Sequence, residues 1–211
     1  MQIAVLLFDR LTALDAVGPY EVLSRLPGAQ TVLVAEEPGP VRNEVGSLAL
    51  VADAALGEVR RPDVLVVPGG PGQAALMADG PLHAWLREVD AHTTWTASVC
   101  TGSLLLGAAG LLTGRRATTH WLAADRLAPL GAVPAAERVV FDGKYVTAAG
   151  VSAGIDMALA LAGRIAGEAT AQAIQLGHEY DPQPPYRAGS PATAPAPVVA
   201  ALRSRRDAIL S

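Results

Sequence analysis

The stretch TASVCTGSLLLGAAGLL, residues 96–112, contains the only cysteine of the chain, Cys100, between two different apolar runs. The run before it is short and β-branched, which is typical of a buried strand, and the run after it has the leucine and alanine content of a helix. Cys100 therefore marks a strand-to-helix turn. The small residues in SVCTG are the pattern of a nucleophile elbow, whose backbone turns too tightly for large neighbours. The alternative is an inert core residue, because free cysteine is among the most often buried side chains.

Short apolar strands alternate with helical patterns on both sides of this turn, which predicts an α/β fold with a mostly parallel central sheet covered on both faces. Strands are predicted over residues 2–8, 31–37, 63–70 and 93–99, with a short strand over 116–120. Helices are predicted over 14–26, 81–92, 121–131, 154–167 and 168–180. Residues 47–56 are predicted to form a hairpin or edge segment, and 137–150 a hairpin turning at Asp142-Gly143.

The length of 211 residues suits a single domain spanning 1–211. Its last part differs in composition: residues 181–197 are proline-rich, and residues 198–210 are predicted to form a final helix that packs on the body or on a partner subunit.

Charge, cysteine content and apolar run lengths exclude several classes of protein. The formal net charge of -4 gives no electrostatic reason to expect nucleic-acid binding. A single cysteine excludes an internal disulfide and any multi-cysteine metal site. No basic, apolar leader begins the chain, and no apolar run reaches the roughly twenty residues that a membrane span takes. We therefore expect a cytoplasmic protein with no membrane partner and no metal site.

Two further segments lie at predicted strand ends and are candidates for the site. In PGGPG, residues 68–72, glycines allow backbone N–H groups to approach a reacting centre, and the N–H groups of Gly70 and Thr101 are predicted to form one anion hole, with Gly72 beside it. Asp15 follows the first strand and is either a helix N-cap or a group that handles protons. A helix N-terminus behind Cys100 is expected to lower the pKa of its thiol.

Other patterns are weaker. Gly70, Gly72 and Ala75 match a dinucleotide fingerprint, but the acidic residue at the expected distance, Asp90, falls inside a predicted helix. His120 could be a general base or a substrate-binding residue, or only pack beside a tryptophan.

The segments PGGPG, LDAVGPYEVL, SVCTGSLLLGAAGLLTGRRATTHW and AGSPATAPA together resemble the isocyanide hydratases of the ThiJ/PfpI superfamily, which is similar to class I glutamine amidotransferases. The resemblance runs from the first strand to about residue 200. It implies a flavodoxin-like three-layer sandwich, a homodimer, a small-molecule isocyanide substrate and no cofactor. It also implies Cys100 as nucleophile, with Asp15 and Thr101 as its polar partners.

Three alternatives remain open on the sequence. The first is a non-enzymatic or redox-sensing protein, because the segment around Cys100 also resembles the sensor domain of AraC-type regulators. Those regulators continue into a DNA-binding domain, for which this chain is expected to lack room. Glyoxalase-type activity is another, weakened because glutamate is absent at position 15 and histidine at position 101. A cysteine α/β-hydrolase would need Asp156 and His178 as partners, and both fall in predicted helices.

Overall fold

Seven strands form the central sheet of the computed structural model, which describes all residues from Met1 to Ser211. The strand order is β10-β11-β7-β6-β1-β2-β5, and every neighbouring pair is parallel except β10 with β11. The strands of this sheet are β1 (Gln2–Leu6), β2 (Gln30–Ala35), β5 (Ala54–Ala55), β6 (Val64–Val67), β7 (Trp95–Val99), β10 (Val139–Asp142) and β11 (Tyr145–Ala148). Two small two-stranded sheets accompany it, made of β3 (Gly39–Arg42) with β4 (Ala49–Ala52) and of β8 (Arg116–Ala117) with β9 (Val133–Pro134).

Helices cover both faces of the central sheet, so the predicted α/β architecture is confirmed. On one face α1 packs against α4 and α4 against α5, and on the other α2 packs against α3. The helices are α1 (Ala13–Leu23), α2 (Pro81–Asp90), α3 (Gly102–Ala108), α4 (Ala153–Ala166), α5 (Glu168–Gly177), α6 (Ala196–Ser204) and α7 (Arg206–Leu210). None of them has the length and apolar composition needed to cross a membrane.

The core explains why the central strands are nearly continuous apolar runs. All four residues of β6 are buried, and Ile3, Ala4 and Val5 of β1 are fully inaccessible to solvent. A strand covered by helices on both faces has no side that can remain polar. The hairpin over 137–150 is confirmed, with Asp142 paired to Tyr145 around a tight turn in which Gly143 has a positive φ.

Two local predictions are wrong, each for an identifiable reason. Residues 121–131 form two 3-10 helices, Trp121–Arg126 and Ala128–Leu130, because Pro129 lacks the N–H that an α-helix would use there. The final helix is divided into α6 and α7 at Arg205, whose backbone is not helical.

The proline-rich segment leads these last helices onto the body of the same chain. Nearly all of residues 181–195 are exposed, whereas Leu210 at the end of α7 is buried with the core. The side chain of Arg206 pairs with Asp125 in the 3-10 helix that follows His120. The chain thus folds back across the carboxyl edge of the sheet, where the candidate site lies.

Candidate active site

Four adjacent parallel strands, β11, β7, β6 and β1, end at the same edge of the sheet. Each is followed by a segment that reaches one place: Val151 after β11, Cys100 after β7, the 68–70 loop after β6 and Asp15 after β1. Ligands of open α/β sheets bind at this edge. The topology therefore brings together residues that are far apart along the chain.

Cys100 has a left-handed backbone conformation, with φ of 56°, which is rare for a residue with a side chain. Hydrogen bonds hold it on both sides. Its N–H donates to the carbonyls of Ala148 and Ala149, at 3.1 and 2.9 Å, and its carbonyl accepts from the hydroxyls of Thr119 and Ser103, at 2.9 and 3.2 Å. The surrounding structure thus fixes a strained turn, as a nucleophile elbow requires.

The small residues around the elbow are explained by close backbone approach. A Cβ on Gly102 would lie 2.1 Å from the carbonyl oxygen of Val67, and one on Gly69 would lie 2.5 Å from the nitrogen of Thr101. No side chain fits in either position. The 68–70 loop and the elbow are therefore in direct backbone contact.

Asp15 is fully buried and is not a helix N-cap, since Thr12 occupies the N-cap position of α1. Its Oδ2 accepts a hydrogen bond of 3.0 Å from the Gly69 N–H, and its Oδ1 accepts none from any N–H or O–H group of the protein. Burial raises the pKa of Asp15 to about 7, against the smaller opposing effects of the Gly69 N–H and the Cys100 thiol, while the charge of Glu44 adds to the increase. A carboxyl with this pKa can both give and take a proton near neutral pH.

The Cys100 thiol faces Asp15 and is itself buried. Burial and the charge of Asp15 raise its pKa well above the ordinary value, and hydrogen bonds from the main chain of Thr101 and Val151 oppose this only in part. The expected lowering of the thiol pKa is therefore wrong. The helix behind the sulfur has only seven residues, and the cost of removing a thiolate from water beside the carboxylate of Asp15 outweighs the stabilisation that this helix supplies.

The anion hole predicted from Gly70 and Thr101 takes a different form. The Gly70 N–H donates to the Thr101 hydroxyl oxygen at 3.0 Å, so it is already occupied. The main-chain groups that interact with the sulfur belong to Thr101 and Val151. Gly70 thus holds Thr101 in place.

Gly72 lies outside the cavity of Cys100. Its N–H donates to the Arg10 carbonyl at 3.2 Å, and a Cβ there would lie 1.9 Å from the Asp9 carbonyl oxygen. It lines a neighbouring cavity of about 710 Å³ that contains neither Cys100 nor Asp15. Its role is to let two loops pass closely.

His120 faces the same cavity as Cys100 and is half-buried. Its Nδ1 accepts a hydrogen bond of 3.3 Å from the Leu122 N–H, which assigns the ring proton to Nε2. Burial lowers the pKa of His120, so the ring is neutral at pH 7.

The cavity over Cys100 has a volume of about 480 Å³. This is within the range of small-molecule sites, which is about 300–1,000 Å³. Its lining combines polar and charged residues with apolar ones, which are Pro71, Val151 and the last residues of α7. The lining residues are Arg10, Thr12, Glu44, Gly70, Pro71, Cys100, Thr101, His120, Val151, Ala208, Ile209 and Leu210.

A family model described as the DJ-1/PfpI family matches residues 1–164. The chain belongs to this family. The resemblance to the ThiJ/PfpI proteins and the flavodoxin-like fold that it implies are confirmed.

Three relatives indicate where in the DJ-1/PfpI family the chain falls. An isonitrile hydratase of Pseudomonas putida is 47% identical over 205 residues, which cover 97% of this chain and 90% of that protein. The crystal structure of a ThiJ/PfpI family protein from Pseudomonas syringae has a TM-score of 0.93 and 41% identity, covering 100% of this chain and 90% of that one. The HTH-type transcriptional regulator CdhR of Pseudomonas aeruginosa is 31% identical over 82% of this chain, but only 52% of the regulator is covered.

The other site residues considered from the sequence of this DJ-1/PfpI chain form their contacts away from Cys100. Asp90 accepts hydrogen bonds from the hydroxyls of Thr96 and Tyr145 and pairs with Lys144, so it is not a nucleotide-binding acid. Asp156 pairs with Arg138, and the Nδ1 of His178 contacts the carbonyl of Ile174. Neither of the last two is placed to serve Cys100 as an α/β-hydrolase partner would.

Three contributions to the cavity were missed from the sequence. Val151 follows the second strand of the 137–150 hairpin, and this strand was not assigned to a place beside Cys100. Glu44 lies in the turn between β3 and β4, and its N–H donates a hydrogen bond of 3.0 Å to the Leu11 carbonyl. The end of α7 is the third. Of these three, only Val151 could have been predicted at the site, because it follows a strand of the parallel sheet.

Proposed function

We propose that this chain is an isocyanide hydratase, which adds water to the terminal carbon of an isocyanide and releases an N-substituted formamide. The observation that carries the proposal is the buried pair of Cys100 and Asp15 at the base of a cavity of about 480 Å³. The relative of Pseudomonas putida supports the choice of substrate class, since isonitrile is another word for isocyanide.

In the first step, the Cys100 sulfur bonds to the terminal carbon of R–N≡C. The thiol proton passes through Asp15 to that same carbon, which gives the thioimidate R–N=CH–S. A buried carboxyl with a pKa of about 7 suits this transfer, because it accepts the proton from sulfur as the C–S bond forms, so that no free thiolate has to exist, and then donates the proton to carbon. Before the substrate binds, the two groups share one proton, as two acids in close contact do.

In the second step, water attacks the thioimidate carbon. Asp15 takes a proton from the water and passes that same proton to the nitrogen, which leaves a tetrahedral R–NH–CH(OH)–S adduct. Collapse of this adduct breaks the C–S bond, releases R–NH–CHO and restores the thiol. Carbon keeps its oxidation level and only the elements of water are added, so no step calls for a metal or an organic cofactor.

Three other residues support these steps in the proposal. Thr101, held by Gly70, places its main-chain N–H beside the sulfur and stabilises negative charge there. The Nε2–H of neutral His120 donates a hydrogen bond to the attacking water or to the substrate nitrogen. Gly72 only allows the 68–72 loop to take its shape.

A redox-sensing role is less well supported by the same geometry. Oxidation of cysteine requires thiolate and exposure to solvent. Cys100 is 5% exposed, and burial and Asp15 raise its pKa. Both features slow oxidation while leaving the pair suited to proton transfer toward a small bound substrate.

The decisive experiment incubates the protein with cyclohexyl isocyanide at pH 7.5 and follows N-cyclohexylformamide by mass spectrometry. We expect formamide in proportion to protein concentration and time, and one oxygen from H₂¹⁸O in the product. The matched control is Ser98→Ala, which removes a buried hydroxyl two residues before Cys100 that has no hydrogen-bond partner. Formation of no formamide above the rate in buffer would contradict the proposal.

We also propose a homodimer that forms beside the site. The turn between β3 and β4 is fixed to the start of α1 by the Glu44–Leu11 hydrogen bond, and exposed apolar side chains lie on both parts: Leu14 in α1, and Val45 and Leu48 in the turn. An exposed apolar cluster of this kind marks an interaction surface.

We place the protein in the cytoplasm, because a single functional thiol is kept reduced in that compartment.

Sedimentation at micromolar concentration is expected to give twice the chain mass of 21.6 kDa. Val45→Asp should shift the equilibrium toward monomer, because it places a charge in the apolar surface. Leu176→Asp, at an 80% exposed position of α5, is the control and should remain dimeric. A parent that sediments only as monomer would contradict the dimer but not the fold.

A further inference from the structure

The last helix, α7, forms one wall of the cavity over Cys100. Ala208, Ile209 and Leu210 line that cavity together with the cysteine. We propose that this wall determines which isocyanides the protein accepts, with Ala208 and Ile209 setting the size of the apolar group R that fits in front of the sulfur. The identity of the substrate rests on the proposed function, whereas the access of any reagent to Cys100 does not.

Contacts at both ends of α7 hold the wall in place. At its start, Arg206 pairs with Asp125, and just before it the guanidinium of Arg203, in α6, lies 6.0 Å from the centre of the Trp121 ring. At its end, Leu210 is 4% exposed and packs in the core, and the Arg10 guanidinium donates to the main-chain oxygen of Ser211 at 2.9 Å. A wall fixed in this way has a defined distance from the sulfur, which selection by size requires.

The chemistry of the cavity indicates which part of the substrate meets this wall. An isocyanide is linear at nitrogen and carbon, so a molecule whose terminal carbon reaches the sulfur must extend R away from Cys100. The main chain of Thr101 contacts the sulfur, and three of the five apolar side chains that line the cavity, Ala208, Ile209 and Leu210, belong to α7. An alkyl or aryl R that extends from the sulfur therefore finds most of its apolar contact on α7.

Ala208 and Ile209 are the two positions that can change the cavity without unfolding the helix. Ala208 is exposed at the cavity mouth and Ile209 is half-buried, whereas Leu210 is part of the core. Ala208→Phe should narrow the cavity and Ile209→Ala should widen it. One methylene in an apolar pocket changes discrimination by roughly 10- to 200-fold.

The test compares kcat/KM for methyl, cyclohexyl and 2-naphthyl isocyanide. We expect Ala208→Phe to lower the naphthyl-to-methyl ratio by about tenfold or more, and Ile209→Ala to raise it several-fold. The controls carry matching substitutions in α6, outside the cavity: Ala201→Phe, and Leu202→Ala in place of the isoleucine change, both at exposed positions. They should keep the parent ratio.

A second readout does not depend on isocyanide turnover. Cys100 is the only cysteine, so alkylation of the protein reports on this site alone. The rate with N-pyrenylmaleimide relative to iodoacetamide should fall in Ala208→Phe and rise in Ile209→Ala.

Ratios equal to the parent's in both variants, or changes of the same size for all three substrates, would overturn the proposal and leave α7 a purely structural element. Should the parent hydrate no isocyanide, the proposed function fails and the alkylation ratios alone decide for or against the wall.

Discussion

Cys100→Ser is expected to lower the rate of isocyanide hydration by at least about a thousandfold, to the background in buffer. A serine hydroxyl is a far weaker acid than a thiol, and a carboxyl with a pKa of about 7 cannot take its proton to a useful extent. The variant should keep its melting temperature within a few degrees, because the oxygen is smaller than the sulfur and the hydrogen bonds of the Cys100 backbone do not involve the side chain.

The state of the thiol gives a second measurement on the same residue. The rate of alkylation of Cys100 by iodoacetamide should rise only above the ordinary thiol range of about 8.5, because burial and the charge of Asp15 both disfavour thiolate. In Asp15→Asn the charge is gone, so the apparent pKa should move down. A parent thiol that titrates below 8.5 would contradict the raised pKa, and a pKa unmoved by the substitution would show that the two groups are not coupled. A serine variant with near-parent activity would show that hydration does not use the thiol.

The fold could be predicted from the sequence because the patterns that indicate it are local. Buried strands such as β6 are unbroken apolar runs, and the elbow at Cys100 is recognised from five consecutive residues. Asp15 could be predicted because it follows the first strand, and parallel strands place their ends at one edge. The prediction of an α-helix over 121–131 was wrong because the apolar pattern continues across Pro129, and proline interrupts an α-helix.

The electrostatics and the cavity wall could not be read in this way, because they depend on distances between segments remote along the chain. The pKa of Cys100 was predicted from the helix behind it, whereas burial and a carboxyl 85 residues earlier in the chain determine it. The contact of α7 with the cavity requires that the chain return across the sheet edge after an exposed proline-rich segment. Neither composition nor periodicity fixes the path of such a segment.

Asp15→Asn is expected to reduce the rate of hydration by roughly a hundred- to ten-thousandfold, the usual contribution of a general acid–base group. Asparagine is nearly isosteric and keeps an oxygen to accept the Gly69 N–H, so the fold should be retained. The matched control is Asp90→Asn, which alters another buried carboxyl that contacts Thr96 and Tyr145 and not Cys100. This control should lose stability but keep its rate per folded molecule. An Asp15→Asn variant with near-parent turnover would exclude Asp15 from proton transfer.

The same variant makes the stability of the protein depend differently on pH. The pKa of Asp15 is about 7 in the folded state and 3.8 for the unperturbed group, so the folded protein holds this proton more tightly than the unfolded chain. The resulting stabilisation is complete below about pH 4 and is lost as the pH rises through about 7. Asparagine has no such dependence. Between pH 5 and pH 7.5, the free energy of unfolding of the parent should therefore fall relative to Asp15→Asn by about 2–3 kcal/mol, measured by urea titration.

Asp15→Glu separates the presence of a carboxyl from its position. Glutamate keeps the acid but moves it by about one methylene toward the sulfur, into the space that the small linear substrate must occupy. We expect it to retain the coupling to the Cys100 thiol, seen as a raised alkylation pKa, and yet to hydrate little isocyanide. Retained coupling with lost turnover would mean that the position of the carboxyl limits the reaction, because the carboxyl that carries the proton is still present. Near-parent turnover in the glutamate variant would instead show that the carboxyl needs only to be close to the thiol.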